Sequence, residues 1–275
     1  MDKSPIGYSV IFVSKFKSNK MSNNKIALVT GGSRGLGRDM AISLSKKGLD
    51  VVITYHSNKE AADEVIHQIE HNGQKGMAIH LDVMDLNSFD TFSSLLISSL
   101  SKSFGTDKID YLVNNGGFIH YVNYTEATQE QFEELLNVHF KGPFFLTQKL
   151  LNDLILKDNG GIVNISTGLA RFTTPGFAAY AAMKGAMETL TKYQAQELGK
   201  RGIRSNIVAP GAIETDIMGG AVRDNKEMNA HLASETALGR VGVPDDIGSV
   251  VAFLCTDDAK WINAQRIEVS GGANL

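Results

Sequence analysis

The chain has 275 residues, of which 43% are hydrophobic and 21% are charged, and its formal net charge is −3. These values are ordinary for a globular protein with one substantial core. The slight acidity argues against a nucleic-acid-binding protein, which would carry a basic surface, and the single cysteine, Cys255, excludes a disulfide framework or a cysteine-rich metal site. No apolar run approaches the ~18 residues of a membrane span. We therefore expect a cytoplasmic protein without nucleic-acid or membrane partners.

The start of the chain shows no convincing core pattern. Its one apolar run, residues 8–13, is too short and too poorly flanked for a signal peptide, and Met21 precedes a polar segment. We expect residues 1–22 to be a disordered N-terminal extension, or the product of an upstream start codon. Residues 23–275 are expected to form a single domain.

The first folded unit that the sequence predicts is a strand, a glycine-rich turn and a helix. The apolar residues 26–30 precede the run GGSRGLG at 31–37, and a helical pattern then continues to Lys47. Such a turn lets backbone N–H groups approach a pyrophosphate at the helix N-terminus, where the helix dipole favours negative charge. The glycine spacing differs from the usual Gly-x-Gly-x-x-Gly, so a plain turn is the alternative. No Lys-Ser/Thr pair follows the last glycine, which excludes a Walker loop.

Predicted strands and helices alternate along the rest of the chain. The strands are expected at 51–55, 76–81, 109–113, 162–165, 203–208 and 266–269, and the helices at about 58–71, 87–104, 131–157, 178–199 and from 244. This alternation predicts an α/β fold of Rossmann type, with a doubly wound, mostly parallel seven-stranded sheet and helices on both faces. Pro143 should bend the helix over 131–157. Residues 212–240 show little periodicity and are expected to form a mobile substrate lid.

The end of the second predicted strand indicates which dinucleotide this fold would hold. An acidic residue there usually binds the ribose 2′-hydroxyl of NAD. Here the strand ends in Tyr55-His56-Ser57, with no acid until Glu60. Together with Arg34 in the glycine turn, this segment offers hydrogen-bond donors and positive charge to a 2′-phosphate. NADP(H) is therefore favoured over NAD(H).

Tyr180 and Lys184 are four residues apart on a predicted helix, so their side chains share one face. An ordinary tyrosine has a pKa near ~10, too high to exchange protons readily at neutral pH. A cation a few ångströms away favours the phenolate and should lower the pKa of Tyr180, which would make it a usable general acid or base. A chance Tyr–Lys pair on a helix is the alternative.

Taken together, the motifs resemble the short-chain dehydrogenase/reductase family over about residues 25–275. They are Thr30-Gly31-x-x-x-Gly35-x-Gly37, Asp82-Val83, Asn114-Asn115-Gly116-Gly117, Asn137, Ile165-Ser166-Thr167, Tyr180-x-x-x-Lys184 and Pro210-Gly211. The resemblance implies an NADP-preferring oxidoreductase similar to 3-oxoacyl-thioester reductases and related alcohol dehydrogenases. It also implies a homotetramer, or alternatively a homodimer, in which the helices over 131–157 and 178–199 pair with their copies.

The resemblance also implies a role for each matching residue. In this family the tyrosine donates a proton to a substrate carbonyl while hydride arrives from the nicotinamide, and the lysine tunes the tyrosine and binds the nicotinamide ribose. A hydroxyl on the preceding strand holds the carbonyl oxygen, and an asparagine positions a relay water. The implied catalytic residues are Asn137, Thr167, Tyr180 and Lys184. The implied cofactor-binding residues are Gly31, Ser33, Arg34, Gly35, Leu36, Gly37, Tyr55, His56, Ser57, Asp82, Val83, Asn114, Gly116, Tyr180, Lys184, Pro210, Gly211, Ile213 and Thr215. No metal is expected.

Alternatives remain for three of these residues. Asn114 can instead tie neighbouring strands together, and Asn137 can mark a helix kink. Thr167 stands where the family usually has serine, and Gly116 stands where it usually has alanine. The family places the hydroxyl thirteen residues before the tyrosine, which selects Thr167. Adjacent strand residues face opposite ways, so Ser166 is the alternative.

Several further side chains bear on the substrate. His120 and Tyr121 are expected either to line the substrate pocket or to lie on a surface loop. Arg171 is a candidate contact for an acidic group. Phe118, Phe172, Phe177 and Met218 indicate an apolar pocket. His67 and His71 have metal-ligand spacing, but a solvated helix face is favoured.

The function that these observations favour is hydride transfer between NADPH and a ketone or secondary alcohol. A β-ketoacyl thioester and a sugar or polyol are both candidate substrates. The alternative from another functional class is a catalytically idle protein that senses nicotinamide through the same fold.

Overall fold

The computed structural model describes residues 24–275, so the extension expected at 1–22 lies outside the described residues. Its sheet has seven strands in the order β3-β2-β1-β4-β5-β6-β7, and every neighbouring pair is parallel. The predicted Rossmann-type α/β fold is thereby confirmed. The strands are β1 Ile26–Val29, β2 Asp50–Tyr55, β3 Gly76–His80, β4 Ile109–Asn114, β5 Leu156–Ile165, β6 Arg204–Pro210 and β7 Arg266–Val269.

Helices cover both faces of the sheet because side chains alternate along each strand. The helices are α1 Gly35–Lys46, α2 Lys59–His71, α3 Phe89–Phe104, α4 Gln129–Leu136, α5 Gly142–Asn152, α6 Ala178–Leu198, α7 Ala221–Asp224, α8 Lys226–Ser234 and α9 Pro244–Leu254. In β1, Ala27 and Val29 pack with α1, α2 and α9, whereas Ile26 and Leu28 pack with α3 and α5 on the opposite face. Among residues 24–275, no helix is both long and apolar enough to cross a lipid bilayer.

The single helix predicted over 131–157 is wrong. Thr128 caps α4 as the sequence indicates, but a π-helical turn, Asn137–Lys141, separates α4 from α5. Pro143 has no N–H for an ordinary helical hydrogen bond, and Gly142 N instead donates to Asn137 O, five residues back. The helix then ends at Asn152, and β5 begins at 156 rather than at the predicted 162.

Residues 212–240 are more regular than the sequence predicts. They contain a short 3₁₀ turn, Ile217–Gly220, followed by α7 and α8. These helices have four and nine residues, which is too short to display a helical period clearly in the sequence. Backbone hydrogen bonds join both ends of the segment to the domain, from Gly242 N to Ala212 O and from Ala237 N to Gly272 O.

The parallel arrangement decides where a ligand can bind. The carboxyl ends of β1, β4, β5 and β6 meet at one edge of the sheet, and the strand order reverses between β1 and β4. Ligands of open α/β sheets bind at such a reversal.

Candidate active site

The glycine turn has the close backbone packing that a phosphate-binding turn requires. Gly31 and Gly35 have φ angles of +64° and +53°, which favour glycine. A Cβ on Gly31 would lie 2.8 Å from the Cα of Gly116, and one on Gly37 would overlap the Gly31 carbonyl. No side chain caps the start of α1 after Arg34. The first N–H groups of α1 are thus available to an anion such as a pyrophosphate.

The end of β4 locks this turn in place. The backbone N–H groups of Asn115 and Gly116 each donate to Thr30 Oγ1 at 3.0 Å, and Asn115 Nδ2 donates to Thr30 O at 3.0 Å. Sequence reasoning assigned no role to Thr30 or Asn115. Their contribution depends on two strand ends that are distant in the chain and adjacent in space.

The side chain of Asn114 is buried and hydrogen-bonded within the sheet. Its Nδ2 donates to Thr147 Oγ1 at 3.1 Å and to Asn164 Oδ1 at 2.9 Å, and the side chain is buried. The side chain therefore ties β4 to α5 and β5, as the alternative interpretation held. The cofactor-binding role that the family resemblance implies for Asn114 stays a prediction.

The ends of β2 and β3 form the region predicted to hold a 2′-phosphate. His56 and Ser57 are exposed at the end of β2, Arg34 is exposed after β1, and His56 Nε2 lies 3.7 Å from Asp82 Oδ2. Within residues 24–275, Arg34 makes no ion pair or side-chain hydrogen bond, so its guanidinium can meet an anion. Lys59 differs, because its Nζ is 2.5 Å from Asp63 of the same helix.

The segment after β6 reaches back to the glycine turn. Pro210 ends the strand, and Gly211 N donates to Val269 O at 3.1 Å. Thr215 lies beside Gly35, since a Cβ on that glycine would be 3.8 Å from Thr215 Cβ. Two predicted cofactor-binding residues that are far apart in the chain, Gly35 and Thr215, thus lie side by side. Ile213 is instead packed in the main core, with 7% of its surface exposed.

Tyr180 and Lys184 lie on one face of α6, as predicted. Both are buried, with 8% and 5% of their surfaces exposed. Lys184 Nζ donates to Ile165 O at 2.8 Å and lies 5.7 Å from the centroid of the Tyr180 ring. This arrangement joins the helix to the end of β5.

The predicted lowering of the Tyr180 pKa by Lys184 is wrong for this structure. Burial raises the pKa of Tyr180 to about 12, and a hydrogen bond with the Thr167 hydroxyl acts in the opposite direction. Burial also lowers the pKa of Lys184 to about 7. Loss of hydration thus dominates both groups. At neutral pH Tyr180 is a neutral phenol, the form that can donate a proton.

The two hydroxyls at the end of β5 have separate surroundings. Ser166 Oγ donates to Glu188 Oε1 at 2.6 Å, and that carboxylate also accepts from Arg266 Nε at 2.7 Å. Thr167 Oγ1 accepts from Leu169 N at 3.3 Å and is close enough to Tyr180 to lower the pKa of that phenol. This geometry supports the choice of Thr167 over Ser166.

Asn137 stands at the first position of the π-helical turn, which packs against α6. Gly142 allows this turn to approach the end of β3, because a Cβ there would overlap the Val83 carbonyl. Asn137 therefore marks a helix interruption, and it does so beside the helix that carries Tyr180. Both interpretations of this residue agree with its position.

Other residues proposed for the substrate have mixed outcomes. Phe118 and Phe177 do pack around Tyr180. His120 is only partly exposed and its Nε2 is 2.7 Å from Glu134 Oε2. The guanidinium of Arg171, the candidate contact for an acidic group, already binds both carboxylate oxygens of Glu268 at 2.8 Å.

Two observations concern the histidines. In the described part of the chain, no three His, Cys, Asp or Glu side chains are grouped so as to hold a metal ion. Sequence reasoning overlooked His139, which is 4% exposed and stacks edge-on against Tyr180 with the ring centroids 5.1 Å apart. Its position two residues after Asn137 was the only signal in the sequence.

Comparison with known proteins decides the family. A family model described as enoyl-(acyl carrier protein) reductase matches residues 31–274. A 3-oxoacyl-[acyl-carrier-protein] reductase of Staphylococcus aureus is 35% identical over 92% of this chain and 99% of its own length. The chain belongs to the short-chain dehydrogenase/reductase family. It is accordingly an oxidoreductase that acts on carbonyl or hydroxyl groups.

Solved structures of the family agree with this assignment. The promiscuous reductase LugOII, which catalyses keto-reduction at C1 in lugdunomycin biosynthesis, has a TM-score of 0.85 and 38% identity, over 90% of this chain and 96% of that one. The angucycline C-6 ketoreductase LanV with bound NADP has a TM-score of 0.86 and 35% identity, over 91% and 96%.

Proposed function

We propose that this protein is an NADPH-dependent ketone reductase in which Tyr180 is the general acid. The observation that carries the proposal is the buried Tyr180 phenol, which lies next to the Thr167 hydroxyl and to Lys184 on the helix that follows β5. A pKa of about 12 keeps this phenol protonated at neutral pH. The names of the relatives, which include an oxoacyl reductase and a ketoreductase, support the same reaction.

The residues of the chain would divide the reaction as follows. Bound NADPH supplies the hydride that reduces the carbonyl carbon. The Thr167 hydroxyl donates a hydrogen bond to the carbonyl oxygen, and Tyr180 transfers its proton to that oxygen as negative charge develops there. Lys184 in its ammonium form stabilises the phenolate that remains. Asn137 positions a water that returns a proton to Tyr180.

The structure offers residues that fit the dinucleotide. The glycine cradle at 31–37, which a Cβ on Gly31 or Gly37 would fill, would hold the pyrophosphate. Arg34, His56 and Ser57 would meet a 2′-phosphate, since all three are exposed at the ends of β1 and β2. A solved relative with bound NADP supports this preference.

The preference for NADPH over NADH can be measured by titrating the protein with each cofactor. We expect NADPH to bind more tightly, and Arg34→Gln to narrow the difference by about tenfold because it removes a charge-assisted hydrogen bond. Arg38→Gln is the matched control, since Arg38 is exposed one turn further along α1. Tighter binding of NADH by the unaltered protein would contradict the proposal.

Turnover is tested by following NADPH absorbance with carbonyl compounds of different shape, such as acetoacetyl-N-acetylcysteamine, 2-tetralone and a ketose. Phe118 and Phe177 around Tyr180 favour an apolar ketone over a sugar. Consumption of NADPH with at least one ketone is the expected result. Binding of NADPH without turnover of any compound would instead support an idle nicotinamide sensor.

A further inference from the structure

His139 is a buried imidazole to which the reaction just proposed assigns no role. Its Nε2 lies 2.6 Å from Phe118 O. Because a carbonyl only accepts hydrogen bonds, Nε2 carries the proton and donates it. Nδ1 is then an acceptor, and among the described residues it has no hydrogen-bond partner. An unpaired buried nitrogen is unfavourable for folding, which indicates that this imidazole is not retained for stability alone.

The surroundings of His139 keep it neutral. Burial lowers the pKa of His139 well below the ordinary histidine value, and the charge of Lys184 lowers it further. The hydrogen bond to Phe118 O acts in the opposite direction but has a smaller effect. Tyr180 is the other titratable group that faces the ring, and it is protonated at neutral pH. His139 therefore adds no second cation beside Lys184.

Two contacts make the imidazole a link between separate parts of the site. It meets the Tyr180 ring at an interplanar angle of 77°, and its Nε2 holds the backbone of Phe118 at the start of the loop that follows β4. Phe118 in turn packs in the cluster around Tyr180. The same side chain thus contacts the phenol and the loop.

Gly117 provides the space that this link needs. A Cβ on Gly117 would overlap the His139 ring, so a larger residue would displace the imidazole. Gly117 and His139 are therefore a matched pair, although 22 positions separate them in the chain.

We propose that His139 is a positioning residue, which holds the Phe118 backbone and the Tyr180 ring in one relative placement for proton transfer. The proposal rests on the ketone reductase function, because the placement matters through Tyr180. A change of 1 Å in such a placement can cost about 10²-fold in rate.

The test uses two amides that differ only in reach. In His139→Gln the side-chain nitrogen extends about as far as Nε2 and can still donate to Phe118 O, whereas in His139→Asn it extends only about as far as Nδ1. For the panel ketone that the parent reduces fastest, we expect kcat per NADPH-binding site to fall ten- to a hundredfold in H139N and less than about threefold in H139Q. The Kd for NADPH should change by less than about twofold in both. His71→Asn, on an exposed helix face, is the control and should change nothing.

A second variant covers the case in which H139N does not fold. Gly117→Ala removes no polar group but pushes the imidazole aside, and it should reproduce the loss expected for H139N. Equal losses in H139Q and H139N, or unchanged kcat in both H139N and G117A, would overturn the proposal.

A spectroscopic measurement separates this proposal from the ketone reductase function. In protein with isotopically labelled histidine and tyrosine, NMR should show one of the seven imidazoles as an Nε2–H tautomer that stays neutral well below the ordinary histidine pKa. The Tyr180 ring signals should shift in H139N but not in H139Q, whether or not any ketone is reduced. Titration of His139 near its ordinary pKa, or the same Tyr180 shift in both variants, would contradict the proposal even if turnover is found. Absence of turnover with these signals intact would contradict only the ketone reductase function.

Discussion

Lys184 combines a functional position with an unfavourable environment. Its pKa of about 7 in the folded protein is below its ordinary value of 10.5, so between these two values the unfolded chain binds one more proton than the folded chain. The free energy of unfolding should therefore rise with pH across this window, and the destabilisation by Lys184 should be greatest below pH 7.

Lys184→Met removes this titration. We expect the free energy of unfolding of the variant, measured relative to the parent, to be larger at pH 6 than at pH 9, because the parent is destabilised most at pH 6. Reductase activity should be lost at both pH values. Denaturant unfolding at the two pH values measures the difference. The loss of the donor to Ile165 O affects both measurements equally, so the pH-dependent part isolates the charge. A difference that does not change between pH 6 and pH 9 would show that Lys184 is not desolvated.

We predict different effects on kcat and stability for substitutions of two neighbouring residues, Thr167 and Ser166. Thr167→Val removes the hydroxyl that faces Tyr180 at nearly constant volume, and by analogy with the loss of one oxyanion donor it should lower kcat about 10²–10³-fold. Ser166→Ala removes the donor to Glu188 on the other side of the strand and should affect stability more than kcat. Steady-state kinetics with thermal melting of both variants gives the ranking. The reverse ranking would transfer the role to Ser166.

For single residues, the sequence predicts which side chains meet better than it predicts how deeply they are buried. Tyr180, Lys184 and Thr167 meet as predicted because helical and strand periodicity determine which side chains share a face. The direction of the Tyr180 pKa shift was not predictable, since it depends on how much protein covers the phenol. The contacts of His139 and Arg171 involve partners 21 and 97 residues away, and no local pattern indicates such partners.

The C-terminal residues connect the segment over 212–240 with Arg171, which follows β5. Leu238 N and Ala237 N, just after α8, donate to Gly271 O and Gly272 O. Arg171 in turn donates to the carbonyls of the next two residues, at 2.7 Å and 3.0 Å, while holding Glu268 of β7. The segment after β5 is thereby joined to the predicted substrate lid.

Arg171→Met should loosen this connection. We expect faster amide hydrogen exchange over residues 217–238, a KM for the ketone that rises several-fold, and an NADPH Kd within about twofold of the parent. Arg201→Met is the matched control, because Arg201 pairs with Asp158 away from the cleft. Unchanged exchange over 217–238 in the Arg171 variant would show that the C-terminal residues do not hold this segment.

Element boundaries could be predicted where a local signal marks them. Thr128 and Pro244 begin helices as expected, because capping and a proline in the first turn act within one helical turn. The start of β5 was missed by six residues, since the polar run Lys157-Asp158-Asn159 gives no strand pattern. That part of β5 pairs with Ile109 only after a register shift, which is a tertiary feature.

The assembly of the whole molecule remains a prediction. Phe132, Phe145 and Tyr193 on α4, α5 and α6 are between 40% and 62% exposed, which agrees with burial of these helices against a second copy. Sedimentation velocity should give a particle of about four times the 29.8 kDa chain mass. Tyr193→Glu should reduce that mass, whereas Leu95→Glu on α3 should not. A particle of single-chain mass at micromolar concentration would contradict the tetramer.

The architecture as a whole was the most predictable feature. Seven strands with intervening helices permit few arrangements once right-handed crossovers are required, and the order found brings the glycine turn and the start of the tyrosine helix to the same edge of the sheet. Substrate choice was less predictable, because it depends on segments after β4, β5 and β6 whose contacts with one another are long-range.

The central claim is that hydride passes from NADPH to a ketone while Tyr180 supplies the proton. It is tested most directly with NADPH deuterated at the transferred position of C4, mass spectrometry of the alcohol product, and Tyr180→Phe as the comparison. We predict one deuterium on the carbinol carbon with the parent, and at least about a thousandfold slower transfer with Tyr180→Phe, which should still bind NADPH. Unlabelled alcohol, or undiminished transfer by Tyr180→Phe, would contradict the claim.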